Sequence, residues 1–290
     1  MIGGAVARLA ASAGHEVHAI ARRAIAEPDG VKVHRIDLLA PDAGPRLIEE
    51  LRPTHLVHAA WDTTQPTYWS SLLNLDWIAA TSGLARAFAE SGGRRFIQIG
   101  SCAEYDWSGG LCSEGVTPER PTTRYGFAKL AAWKAVETAA FGDFEAVEAR
   151  IFFVYGPGEN KDRLIPYICR SHGDGRVPEL SSGRQVRDLL HVEDAAGAIL
   201  AVAESALVGV VNIGGGTPNS LGDAARILAG CAGSDETGLG RRPDRQGDPD
   251  RLLPDTKRLF STGWRPRVSL NEGLSQTFSH WLQDRGSNEP

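Results

Sequence analysis

The chain has 290 residues, with 31 Lys and Arg against 36 Asp and Glu, a formal net charge of −5, and 42% hydrophobic and 23% charged residues. That is an ordinary globular composition, without the basic surplus of a nucleic-acid binder; no apolar run reaches the ~18 residues that span a bilayer, and no basic-then-apolar leader pattern opens the sequence. The four cysteines, Cys102, Cys112, Cys169 and Cys231, are scattered without zinc-type Cys/His spacing, which predicts no metal site and a reduced, cytoplasmic protein.

In chain order, residues 2–13 place small and apolar residues at helical spacing, with Gly14 as a stop. Short strands are predicted at 16–21 and 31–38, then a proline-bounded helix at 40–53, a buried strand at 54–60 and a helical region at about 68–91. A strand at 94–101, a helix at 125–141 and a strand within 144–156 complete the alternation. Strands alternating with helices predict a parallel sheet covered on both faces. After Gly156 the chain becomes rich in Pro and Gly. Residues 186–205 return a strand and a helix, 209–215 a strand, and 221–230 a helix, whereas 233–256 read as a polar loop. The expected class is α/β, a Rossmann-type doubly wound parallel sheet with a smaller C-terminal substrate-binding lobe. The expected division assigns 1–153 and 186–214 to the dinucleotide-binding unit, and 154–185 and 215–290 to the lobe.

Within the helix at 125–141, Tyr125 and Lys129 stand four residues apart, on one face and one turn apart. An ammonium near a phenol favours phenolate and lowers its pKa, tuning it for proton transfer. The pattern alone is equally that of a surface tyrosine and lysine.

The opening segment, "MIGGAVARLAASAGHEVHAIARR", is similar to a dinucleotide-binding unit whose first strand and first two glycines precede Met1. Gly3 then takes the place of the third glycine, where helix packs on sheet. The preceding glycines would bring backbone amides to a pyrophosphate at the helix N-terminus. The expectation is that the first, central strand of the sheet is missing from these residues, through a late start or a truncation. Arg22 and Arg23 end the next strand. An acidic residue there would bind the ribose 2′-hydroxyl of NAD, and arginine suits the 2′-phosphate of NADP; two solvated arginines are the plain alternative.

Seven short motifs then occur in a consistent order: the glycine at Gly3, "DL" at Asp37–Leu38, "HAA" at His58–Ala60, "IGSCAEY" at 99–105, "YGFAK" at 125–129, "VYGPG" at 154–158 and "RDLLHVEDAA" at 187–196. On these the chain resembles the extended short-chain dehydrogenase/reductase family, the NAD(P)-dependent epimerase/dehydratase group acting on nucleotide sugars. The resemblance implies that Tyr125 is the general acid/base, that Lys129 lowers its pKa and holds the nicotinamide ribose, and that Ser101 orients the substrate oxygen. It places Asp37 and Leu38 beside the adenine, and Ala59, Ala60 and Trp61 along the dinucleotide path. Arg187 matches an arginine that binds the nucleotide diphosphate in several relatives, with Arg245 as a second clamp. Trp77 stands by register where the family's helix asparagine is expected, with Asn74 three residues earlier.

Dehydratases of the family carry an Asp–Glu pair directly after the hydroxyl residue. Cys102 and Ala103 occupy those places here, and Glu104 comes one position late. The resemblance therefore implies 4-keto reduction or 4-epimerisation of a nucleotide-linked sugar, with NADP as cofactor and NAD as the alternative. It implies no nucleic acid and no membrane partner, and allows a homodimer. A truncated or non-catalytic dinucleotide-binding regulator of the same fold is the second expectation.

Overall fold

The computed structural model describes residues 1–23 and 27–286. Helix α1 (Ile2–Ser12) leads into strands β1 (Val17–Ala21) and β2 (Val31–Arg35), which pair in parallel with Val17 opposite Val31. Helix α2 (Ala43–Leu51), strand β3 (His55–His58), helix α3 (Leu73–Glu90) and strand β4 (Arg95–Ser101) follow. The helical region expected from residue 68 is a short 3-10 turn at Thr67–Trp69 and then α3. Beyond the two-residue strand β5 (Leu111–Cys112) come helix α4 (Arg124–Ala139) and strand β6 (Glu145–Ile151). The strand expected within 144–156 breaks at Phe152, and β7 (Phe153–Tyr155) turns away to another sheet.

The C-terminal part contains α5 (Leu164–Gly173), β8 (Val186–His191), α6 (Val192–Ala203), β9 (Gly209–Ile213) and β10 (Pro218–Ser220). Helix α7 (Leu221–Cys231), strand β11 (Arg251–Pro254), the single turn α8 (Lys257–Phe260) and α9 (Leu270–Gly286) complete it. Strand β11 lies within the segment expected to be loop. It gains main-chain partners in β8 and β5, which so short an apolar pair of residues does not announce.

A parallel four-stranded sheet runs in the order β3-β4-β6-β9. Its strands are buried on both faces because both are covered, one face largely apolar and the other carrying the buried Gln98, Glu148, Arg150 and Asn212 among apolar residues. Ala5 and Val6 of α1 and Ala195, Ile199 and Val202 of α6 cover one face, against Ile97, Val147 and Val211. Ile48 of α2, Leu84 and Phe88 of α3, and Trp133 and Val136 of α4 cover the other, against Phe96. Strands β1 and β2 form a separate two-stranded sheet. Among the described residues, β1 pairs with β2 alone and β3 with β4 alone. Helix α1 reaches both pieces: it packs on β1, and a Cβ at Gly3 would stand 3.3 Å from that of Ala59.

A further sheet, of five short strands, corrects one expected grouping. Strand β8 pairs with β7, β10 and β11 rather than with the parallel sheet, while the following α6 and β9 do join that sheet. The strand–helix–strand pattern of 186–213 hides this switch, because strand partners come from elsewhere in the chain. Helices α5, α7 and α9 pack on one another beside the five-stranded sheet around Ile168, Leu228 and Leu274.

Candidate active site

The site lies beyond the C-terminal end of β4, where doubly wound sheets receive ligands. Ser101 ends that strand, and its Oγ accepts the Ala103 N–H at 3.2 Å. Helix α4 enters from the opposite side, capped by Thr123, whose hydroxyl accepts the Gly126 N–H at 3.1 Å. A Cβ on Gly126 would stand 2.3 Å from the carbonyl oxygen of Ala103. Glycine alone permits that approach, which brings the Tyr125 phenol close to the Ser101 hydroxyl.

Tyr125 and Lys129 are both buried. Lys129 donates from Nζ to the carbonyl oxygen of Ile99 at 2.8 Å and lies 3.9 Å from the centre of the Trp61 ring. Burial lowers its pKa to about 8, with Glu104 and Glu148 opposing. The expected lowering of the tyrosine pKa is reversed here. Burial pushes the Tyr125 phenol well up, the Ser101 hydroxyl beside it opposes, and Tyr68, Glu104 and Cys102 add to the rise. Desolvation disfavours the charged form of each partner, so both shift toward neutrality.

Aromatic rings enclose the phenol. Tyr68 and Trp69 meet the Tyr125 ring edge-on at 4.9 and 5.5 Å between centroids, and Trp61 at 6.3 Å. Trp61 stacks on Trp77 at 5.7 Å and donates its indole N–H to Asn74 Oδ1 at 2.8 Å. Asn74 in turn donates to the carbonyl oxygens of Tyr68 and Ser71. Its amide therefore braces the loop carrying the aromatic wall. Sequence reasoning missed Tyr68 and Trp69, although a Tyr-Trp pair in a polar loop is the one available signal.

The other expected residues are placed as follows. Gly3 is exposed in the first turn of α1, a helix with no side-chain cap; Ala59 and Ala60 are half-buried after β3; Arg22 is exposed just after β1. Asp37 is exposed, with Oδ1 accepting the Leu39 N–H at 3.0 Å, and Leu38 packs inward against the α2–α3 core. Arg187 is buried, bonded to Asp248 at 2.7 Å, with its guanidinium 5.3 Å from the centre of the Phe153 ring. Arg245 is exposed, and its charge, with that of Arg163, reaches the Tyr68 hydroxyl. Arg163 was not anticipated from sequence; it pairs with the buried Glu159 at 3.1 Å. The Cys102 thiol sits in an apolar cluster with Cys112 and Phe152, and burial pushes it up to about 12, so it is not a nucleophile at neutral pH. Asp194, in the first turn of α6, accepts the N–H groups of Arg267 and Val268, and His191 is the cap of that helix.

The donors match one end of a nicotinamide dinucleotide well. The Lys129 ammonium has three hydrogens and spends one on Ile99, leaving donors suited to ribose hydroxyls. At the other end, the exposed, uncapped first turn of α1 suits phosphate oxygens. Among the described residues no group of three or more His, Cys, Asp or Glu could hold a metal, and no helix is long and apolar enough to cross a membrane.

A serine at a strand end, beside a tyrosine that opens a helix with a lysine one turn on, is the arrangement of a short-chain dehydrogenase/reductase. The model of the NAD dependent epimerase/dehydratase family matches residues 1–214, and the chain belongs to that family. It is 35% identical over 139 residues to dTDP-glucose 4,6-dehydratase of Streptomyces griseus, covering 47% of this chain and 42% of that protein. It is 30% identical over 175 residues to GDP-L-fucose synthase 1 of Arabidopsis thaliana, covering 55% and 53%. The chain thus spans about half the length of these curated relatives. The structure of MoeE5 in complex with UDP-glucose and NAD superposes with a TM-score of 0.83 at 26% identity, covering 98% of this chain and 96% of that one.

Proposed function

We propose that this chain acts on a nucleotide-linked sugar by 4-keto reduction or 4-epimerisation, with Tyr125 as the acid/base. The observation that carries this is that the buried Tyr125 phenol lies by the Ser101 hydroxyl, with the buried Lys129 one helical turn on. When bound, the nicotinamide supplies hydride transfer at the sugar carbon. Ser101 orients the sugar oxygen, and Tyr125 gives it a proton or takes one. The raised phenol pKa keeps Tyr125 protonated at neutral pH, the form that donates to a keto oxygen, which favours the reductive direction. Lys129 holds the ribose.

Loss of water finds no acid. Cys102 and Ala103 carry none, and Glu104 is fully buried and bonded to the Ser101 N–H. Arg22 and Arg23 favour NADP through its 2′-phosphate, with NAD, named in the family's description, as the alternative. Arg187, Arg245 and Arg163 form the side that meets a diphosphate. In this reading the parallel sheets and their helices take the dinucleotide, and the five-stranded sheet with α5, α7 and α9 takes the sugar nucleotide. Leu72, Leu75 and Phe127 are exposed on the α3–α4 face and support a homodimer there.

The test incubates the purified chain with NADPH or NADH and UDP-, dTDP- and GDP-linked hexoses and 4-keto-hexoses. Consumption of reduced nicotinamide, or interconversion of C4 epimers, is expected; a dehydrated product in their place overturns the proposal. Among the described residues β1 and β3 each pair on one side alone, which favours a second reading, a dinucleotide-binding regulator without turnover. Binding of dinucleotide with no turnover of any sugar would select it.

A further inference from the structure

Behind Ser101 lies an ionic cluster, buried at Glu104, Glu148 and Arg150 and reaching solvent at Glu119, to which no catalytic role has been given. Glu104 Oε1 accepts the Ser101 N–H at 2.6 Å. Glu104 Oε2 accepts from Arg150 Nε at 3.2 Å, and Arg150 also bonds Glu148 at 2.8 Å and Glu119 at 2.6 Å. Arg150 comes from β6, where it is in register with Gly100, the residue before Ser101. Its guanidinium lies 4.4 Å from the centre of the Tyr105 ring, and Tyr105 donates to Asn212 on β9. Gly100 has no side chain because a Cβ there would stand 2.8 Å from Glu148.

We propose that Glu104 is a positioning residue for Ser101: its carboxylate, anchored by Arg150, fixes the strand end through the serine N–H and so holds the serine hydroxyl against Tyr125. This rests on the acid/base reading above. A cap of a short turn needs only an exposed polar side chain. This carboxylate is instead desolvated, and an arginine from a neighbouring strand is desolvated with it, a costly arrangement in which Glu148 Oε1 is left without a hydrogen-bond partner. The result is a rigid chain of contacts from Arg150 through Glu104 to Ser101, whose hydroxyl lies by the Tyr125 phenol. Rigidity of that kind holds a reacting group within the small tolerance that catalysis needs.

The test is a double-mutant cycle of Glu104→Gln and Ser101→Ala, read by turnover, by NADPH affinity and by deuterium exchange. Glu104→Gln is expected to lower kcat about tenfold or more while KM and NADPH affinity stay within about twofold. If Glu104 acts through Ser101, the double variant matches Ser101→Ala within about twofold. Exchange at residues 99–105 should rise in Glu104→Gln and not in Ser101→Ala. Losses that multiply, an effect carried by KM alone, or unchanged exchange at 99–105 would overturn the proposal. Should Glu104→Gln fail to fold, Glu119→Gln at the exposed rim of the cluster replaces it in the same cycle, with a smaller change of the same kind. If the unsubstituted chain turns over no sugar, the enzymatic reading falls, and the exchange measurement still decides whether Glu104 orders Ser101.

Discussion

Lys129 reaches the carbonyl oxygen of Ile99, at 2.8 Å, from one helical turn beyond Tyr125, so the two residues share a helix face while the ammonium is tied to the strand that ends in Ser101. The lysine thus joins helix and strand, and the tyrosine meets that strand's last side chain. Tyr125→Phe removes the proton and leaves this tie intact. Turnover should fall by about 10²–10⁴ with dinucleotide affinity nearly unchanged, whereas Lys129→Met should weaken both. Steady-state rates and a dinucleotide titration check this; a phenylalanine variant within about threefold of the parent would refute the acid/base role.

The lowered Lys129 pKa, about 8, sets two pH dependences of opposite sign. Above it the buried amine is neutral and the ribose loses a cationic donor. Dinucleotide affinity should be flat below about pH 8 and then weaken by up to about tenfold per pH unit. Stability from the same group goes the other way. Its folded pKa lies below the unfolded 10.5, so the unfolded chain binds more protons between the two values, and stability rises with pH across that window. Titrations and unfolding curves on the parent and on Lys129→Met test both signs; an affinity flat through about pH 10 would contradict the first.

That Tyr125, Lys129 and Ser101 come together was legible from the resemblance of their motifs, with helical spacing placing the first two on one face and a strand end placing the third. What surrounds them was not. Trp61, Tyr68 and Trp69 are carried by an irregular segment between β3 and α3, whose course no periodicity records. Arg150 and Glu148 are charged residues within a wholly buried strand stretch, a detectable anomaly, but their partner Glu104 lies more than 40 residues away. The raised tyrosine pKa was misjudged for the same reason. Sequence shows a neighbouring charge but not the burial that outweighs it. Strand β8 was misgrouped because hydrophobic pattern marks a strand without naming its partner.

Glu159, paired with Arg163, offers a stability test that does not depend on turnover. Its carboxyl is buried, Oε2 has no hydrogen-bond partner, and burial raises its pKa to about 7 against the opposing charge of Arg163. The folded pKa lies above the unfolded 4.5, so the stability this group contributes is complete below about pH 4.5 and is lost as pH rises through about 7. The loss amounts to about 3 kcal/mol. Glu159→Gln should remove this decline and leave the variant more stable than the parent at about pH 8. Denaturant midpoints across that range decide it; identical slopes in the two proteins would show that Glu159 is not the group responsible.

The last prediction concerns the edges of β1 and β3. Among the described residues each strand has one hydrogen-bonded neighbour, and the apolar Val17, Ile20, Leu56 and Val57 along them are only half-buried. A single parallel strand between them would satisfy both rows of peptide groups and cover those side chains. A glycine-rich turn from such a strand into α1 would add amides at the helix N-terminus, where a pyrophosphate binds. A protein made with about five or six apolar strand residues and that turn joined ahead of Met1 should therefore melt higher than residues 1–290. Each kcal/mol gained should raise the midpoint by roughly 2–4 °C. It should also bind NADPH more tightly and scatter less light on concentration, because open strand edges beside apolar residues promote association. Melting curves and NADPH titrations of the two proteins make the comparison. Equal midpoints and equal affinities would mean that the edges need no further strand and that Gly3 is an ordinary helix residue.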